Sequence, residues 1–326
     1  MATAKNRQRA ARNVFLQKWD DLGNIRGLIA GLLALVILFS LKTGFFLTQN
    51  NLIAISDQIT TIGILALAMT FVILSGGIDL GVGSVVAMSG VLITYFMSQG
   101  MGMVQSILLG VLLCTIMGSL TGVVITKFML QPFIVTLGTM GVARGVAMVV
   151  SNASPITQVT DGFSNLGSGR IGVIPNPVLI FVVLIVLTVI LLRKTKFGEY
   201  TYAIGGNEEA ARLAGIPVNF YKILIYTLSG FLAGFTGYLM ASKFNSGVPT
   251  LGQGYELDAI AAVVIGGTAL SGGIGGIGGT ILGVLIMGVL NNGLNLMGVS
   301  AYWQYIIKGL LIIVAVIIDS YTRKKR

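Results

Sequence analysis

Apolar residues fall along this chain in long blocks, broken by short stretches of glycine and polar residues. Ten blocks stand at roughly 27–42, 52–74, 80–98, 104–126, 133–150, 178–192, 222–241, 257–270, 279–297 and 302–319. Most approach the ~20 residues that a helix needs to cross a bilayer, and the first and eighth are shorter. The blocks predict an all-α polytopic membrane protein of about ten transmembrane helices, with glycine-rich broken or turned segments between some of them. A basic arm (residues 1–26) precedes a single transmembrane domain (27–320), and a basic tail (321–326) follows it.

One long stretch does not belong in lipid. Residues 193–222 read RKTKFGEYTYAIGGNEEAARLAGIPVNFYK, and their centre predicts one short polar helix. Asn207 suits the N-cap, Glu208 and Glu209 suit the positive end of the helix dipole, and Gly215 then Pro217 end it. Glu208 and Arg212 stand four apart, in the favourable order for an ion pair. A helix held between two spans at the membrane surface is a natural docking piece for a soluble partner.

Composition agrees with the pattern. The 326 residues are 55% hydrophobic and only 10% charged, with a mean hydropathy of +0.91, too apolar for a soluble core of this size. The net charge of +10 does not point to nucleic acid, because the cations flank the spans. Lys5, Arg7, Arg9, Arg12, Lys18 and Arg26 precede the first block, and Arg323, Lys324, Lys325 and Arg326 follow the last. An even number of spans puts both basic ends, Lys127 and 193–222 on one side, which the positive-inside rule identifies as the cytoplasm. The first block lacks a small-residue cleavage site and reads as a retained span. Cys114 is the only cysteine and histidine is absent, so disulfides and histidine chemistry drop out.

On the opposite face lie two polar loops, 151–177 and 242–256. They read either as solvated connections or as a docking surface for an extracytoplasmic delivery protein. The chain holds 45 glycines, many spaced four apart (Gly118/Gly122, Gly141/Gly145, Gly230/Gly234, Gly275/Gly279/Gly283), as in close helix packing. Two clusters differ: SGGIDLGVGS at 75–84, with Gly76, Gly77, Asp79 and Gly81, and SGGIGGIGGT at 271–280, with Gly272 and Gly273. Both interrupt apolar regions, as broken helices beside a transport cavity do. Asp79 reads either as a functional acid or, the favoured reading, as a carboxylate capping the helix over 80–98. Arg144 and Lys308 also fall inside apolar blocks. Tyr255, Glu256 and Asp258 sit at a span end, where capping is the simplest role.

Asn291, Asn292, Asn295, Trp303 and Gln304 form the candidate translocation path. Positions 291 and 295 share a helix face, and amides beside an aromatic ring suit a polyhydroxylated solute. Interhelical hydrogen bonding is the plainer role for such amides. The chain has no Walker loop and no Gly-Lys dipeptide, so it supplies no ATP site of that kind. It also lacks the chain of buried acids or histidines of many proton-driven pumps, so its energy is expected from a partner docked on 193–222.

Five segments carry a resemblance: AMTFVILSGGIDLGVGS (68–84), QPFIVTLGTMGVARGV (131–146), YAIGGNEEAARLAGIPV (202–218), YELDAIAAVVIGGTALSGG (255–273) and NNGLNLMGVSAYWQYIIKGL (291–310). In this order they resemble the membrane permease of ribose-type sugar importers of the ATP-binding-cassette superfamily. Xylose, arabinose, galactoside and autoinducer-2 permeases share the broader pattern. The resemblance implies a pathway formed by two permease copies. It further implies a cytoplasmic ATPase with two nucleotide-binding modules that holds the ATP and magnesium, and an extracytoplasmic sugar-binding protein. The loop carrying Gly205–Val218 corresponds to that family's coupling helix. Gly206, Asn207, Glu208, Ala210, Arg212, Leu213 and Gly215 are then the expected ATPase contacts, and no residue here is catalytic. Two other classes stand beside this one: a secondary transporter or channel working alone, and an intramembrane enzyme. The absence of histidine and of a Ser/Lys, paired-Asp or metal constellation argues against the enzyme.

Overall fold

The structure is a computed structural model that describes residues 25–324. Lys5, Arg7, Arg9, Arg12 and Lys18 of the basic arm, and Lys325 and Arg326 of the tail, lie outside the described residues. Each of the ten apolar blocks contains a helix. These are α1 (Ile25–Lys42), α2 (Gln49–Leu74), α3 (Val82–Ser98), α4 (Met103–Lys127), α5 (Pro132–Val150), α7 (Asn176–Lys194), α10 (Val218–Phe244), α11 (Tyr255–Ile265), α12 (Ile277–Leu296) and α13 (Ala301–Lys324). Three short helices lie between them: α6 (Asn165–Ser168), α8 (Lys196–Gly206) and α9 (Glu208–Leu213). By length and composition, α1, α2, α4, α5, α7, α10 and α12 can each cross a membrane.

The eighth block departs from expectation. α11 is an 11-residue helix, long enough for only about half a bilayer at ~1.5 Å per residue. Residues 266–276 that follow are turns and bends. The chain then re-enters as α12, packed tightly against α11. A Cβ on Gly266 would strike the backbone of Gly279, and one on Gly283 would strike the Ala262 carbonyl.

The centre of the bundle is α2, whose residues from Ile62 to Leu74 are all buried. α10 runs beside it and closes onto α4 through a glycine seam. A Cβ on Gly118 would come within 2.9 Å of the Gly230 Cα, one on Gly122 within 2.8 Å of the Ile223 Cα, and one on Gly234 within 2.7 Å of the Cys114 Cβ. Gly141 and Gly145 do not take part in such packing, because a Cβ at either would meet open space. On the outside of α4, Val104, Leu108, Leu112, Ile116 and Leu120 are exposed in a stripe four residues apart, the surface expected where lipid is the solvent.

The connections cluster at two ends. At one, residues 151–175 carry α6 and a hairpin of β1 (Arg170–Ile171) and β2 (Ile174–Pro175). This loop is tied to the one after α10 by an Ile156–Gly247 bridge. Ser242 Oγ of α10 holds the same loop, donating to Phe163 O at 2.6 Å and accepting from Gly167 N at 2.8 Å. At the other end lie α8, α9 and both glycine clusters.

Candidate functional site

At the loop-rich end a cavity of about 420 Å³ opens between α2, α10, α11, α12 and α13, within the ~300–1,000 Å³ usual for small-molecule sites. Its four charged groups are paired. Lys243 Nζ donates to Asp57 Oδ2 at 3.0 Å, and Lys308 Nζ donates to Asp258 Oδ2 at 2.9 Å. Asp258 therefore does not cap the helix end, the role expected of it, but binds α11 to α13 and gives the cation within α13 its partner. Arg144 is held nearby by backbone, donating to Pro249 O at 2.6 Å and Leu251 O at 2.8 Å.

Four of the five expected path residues line this cavity. Asn292 forms a reciprocal amide pair with Asn51, at 3.0 and 2.8 Å. Asn295 Oδ1 accepts from Gln304 Nε2 at 2.7 Å. The Asn291 side chain makes no hydrogen bond among the described residues, and its Oδ1 is buried. Trp303 does not line the cavity and points outward, 62% exposed. Its neighbour Gln304 sits one position round the helix on the inward face. Gln58 Oε1 and Asp258 Oδ1 are also buried without a partner among the described residues.

The opposite end is built around α8 and α9, two helices where the sequence pointed to one. Asn207 separates them and caps α9, its Oδ1 accepting from Ala210 N at 2.9 Å. Glu208 receives Arg212 at 3.3 Å and also Lys222 from α10, while Arg212 reaches Asn219 at 3.3 Å. Ile204, Ala211 and Val218 anchor the pair in a small apolar cluster. Gly206, Asn207, Ala210, Arg212, Leu213 and Gly215 face outward. Leu213 is 85% exposed and Met129, on the neighbouring turn after α4, is 91% exposed. Met129, Glu208 and Arg212 share the rim of a second cavity of about 450 Å³.

The two glycine clusters meet beneath α8. Gly273 N donates to Leu74 O at 2.9 Å, joining the start of one cluster to the end of α2 before the other. Gly272 and Gly273 adopt φ of +86° and +74°, which a Cβ would strain. Gly205 lies in the same junction, where a Cβ would come 2.6 Å from Gly273 N and strike Leu74 O. Tyr202 Oη donates to Gly275 O at 2.8 Å, so α8 grips the second cluster twice. Gly76, also at positive φ (+80°), ends α2, and Gly77 faces the Tyr226 hydroxyl.

Asp79 corrects one expectation. α3 begins at Val82 with Gly81 at its N-cap and no side-chain cap. The Asp79 carboxylate instead accepts from Gly81 N at 2.9 Å, outside the helix, and from Ser229 Oγ of α10 at 2.7 Å. It closes a turn and ties that turn to α10.

The family model for branched-chain amino acid transport system / permease components matches residues 51–316. The chain belongs to that family. The permease is 46% identical to the ribose import permease protein RbsC of Bacillus subtilis over 309 residues, 94% of this chain and 95% of that protein. It is 43% identical to the Escherichia coli (strain K12) protein of the same name over 315 residues, 95% and 97% of the two chains. It is also 38% identical to the L-arabinose ABC transporter permease protein AraH of Azospirillum brasilense, over 94% of this chain and 90% of that one. No solved structure matches it. In the permease, the cavity residues that sequence reasoning missed are Asp57, Gln58 and Lys243, while Asp258 and Lys308 were singled out without their pairing. Their signal was a charged or amide side chain near the end of an apolar block, but each pair joins residues far apart in the chain.

Proposed function

We propose that this chain is the membrane-spanning subunit of an ATP-driven importer for a monosaccharide, ribose first, and that it carries no catalytic residue of its own. Its likeness to ribose import permeases along almost the whole chain carries this reading. The arabinose relative keeps a related pentose in view. The cavity at the loop-rich end supports it. Asn291, Asn292, Asn295 and Gln304 would form part of the path there, with Trp303 at its outer edge. The tied loops 151–177 and 242–256 would receive a sugar-binding protein on the extracytoplasmic side of the inner membrane.

The α8–α9 end would be cytoplasmic, as would both termini, and would dock an ATPase with two nucleotide-binding modules. Exposed Leu213 and Met129 beside the Glu208–Arg212 pair form a mixed apolar and charged surface fit for a protein partner. Gly76, Gly77, Asp79, Gly81, Gly272 and Gly273 would form the turns that move when the partner acts. A second permease copy would complete the pathway. Arg212→Glu and Leu213→Asp are expected to abolish ATP-driven ribose uptake by the reconstituted importer while the protein still folds. Normal uptake in both would remove the docking role from α9. Uptake by the permease alone, without an ATPase, would favour a channel or secondary transporter.

A further inference from the structure

The cavity at the loop-rich end combines charges that cancel with acceptors that nothing answers. Asp57 and Asp258 are each paired with a lysine, Lys243 and Lys308, so the charged groups lining the cavity sum to zero. Three buried oxygens remain without a donor among the described residues: Gln58 Oε1 on α2, Asp258 Oδ1 on α11 and Asn291 Oδ1 on α12. Folded proteins leave few buried polar atoms unpaired. Three on one cavity, each from a different helix, point to an occupant that donates.

We propose that Gln58, Asn291 and Asp258 receive the hydroxyls of the solute, and that the cavity accepts an uncharged polyol and rejects charged sugars. This rests on the reading of the chain as a sugar permease. A sugar offers several O–H donors and no charge, matching the three acceptors. A phosphorylated, carboxylated or amino sugar would bring an unpaired charge into a site whose own charges are already neutralised, at a desolvation cost that nothing repays. The Lys308 ammonium fixes Asp258 through one carboxylate oxygen and leaves the other for the solute. Water can answer the same acceptors once the sugar has left, which keeps binding weak enough for release.

The test uses the complete importer, permease with ATPase and binding protein, in proteoliposomes with ribose as the probe. Gln58→Met and Asn291→Leu remove acceptors that hold no protein partner, so neither gives up a hydrogen bond within the fold. Each is expected to lower ribose uptake at least about tenfold, the loss that one hydrogen bond to a buried acceptor can carry. The melting temperature of the purified permease should stay the same or rise, and binding-protein-stimulated ATP hydrolysis should continue. Undiminished uptake in both variants overturns the assignment, as does a fall in melting temperature that accompanies the loss, because the groups would then be structural. A wild-type complex that hydrolyses ATP on meeting its binding protein but imports no pentose overturns the sugar-permease reading itself, and this assignment with it.

Discussion

Replacing Lys308 with methionine is expected to cause a large loss of stability. Its ammonium meets Asp258 at 2.9 Å, and the two side chains are only 16% and 5% exposed. Methionine would fill much of the same volume and leave the carboxylate buried with no counter-charge. Removing one partner of a buried ion pair typically costs ~3–5 kcal/mol, whereas replacing both with neutral groups of similar size costs far less. Thermal unfolding of the detergent-purified protein should therefore rank Lys308→Met well below the double variant Lys308→Met/Asp258→Asn. A double variant as unstable as the single one would show that the pair does not hold α11 to α13. The Lys243–Asp57 pair, at 35% and 24% exposure, faces more solvent and should matter less when broken.

Gly205→Val should disable transport, while Gly206→Ala next to it should leave the fold intact. At Gly205 any Cβ enters the backbone of Leu74 and Gly273, whereas at Gly206 it meets nothing within 4 Å. Backbone cannot step aside as a side-chain tip can, so α8 must lift from the junction of the glycine clusters. Overpacking of this kind costs ~1–3 kcal/mol, and the Tyr202–Gly275 hydrogen bond would be stretched with it. ATP-driven uptake should be lost in Gly205→Val, and its melting temperature should fall. Wild-type uptake in Gly205→Val would mean that this junction does not link α8 to the bundle.

Hydrophobic continuity made the bundle readable from sequence, since each apolar block became a helix. The Asn207 cap and the Glu208–Arg212 pair were readable for a similar reason, because both depend on residues within one turn. α8 was missed: KFGEYTYAIGG mixes aromatic residues with three glycines, and its helical form depends on packing against distant backbone. Asp79 was placed at a helix start that lies two residues further on, at Val82, and its second oxygen answers Ser229 on a helix far away in sequence. The end of α11 was set too late because Gly266, Gly267 and Ala269 continue the apolar composition after the helix has stopped. The cavity was only half legible. Clustered amides in α12 announced themselves, but Asp57, Gln58 and Asp258 gain meaning only from neighbours that the fold supplies.

α10 also has a mechanical consequence. It is unbroken helix from Val218 to Phe244, 27 residues, or ~40 Å at 1.5 Å per residue. Near one tip Lys222 holds Glu208 of α9, at mid-length Ser229 holds Asp79, and near the far tip Lys243 holds Asp57 at the cavity wall. Between them, Gly230 and Gly234 bring it close against α4, a contact about which the helix would pivot. About a fulcrum near Gly230 the arm to Lys243 is ~20 Å, so a lean of about 10° carries that tip roughly 3.5 Å, more than the length of a hydrogen bond. A lean of that size driven from the α9 side would part Lys243 from Asp57, with no hinge needed inside the helix.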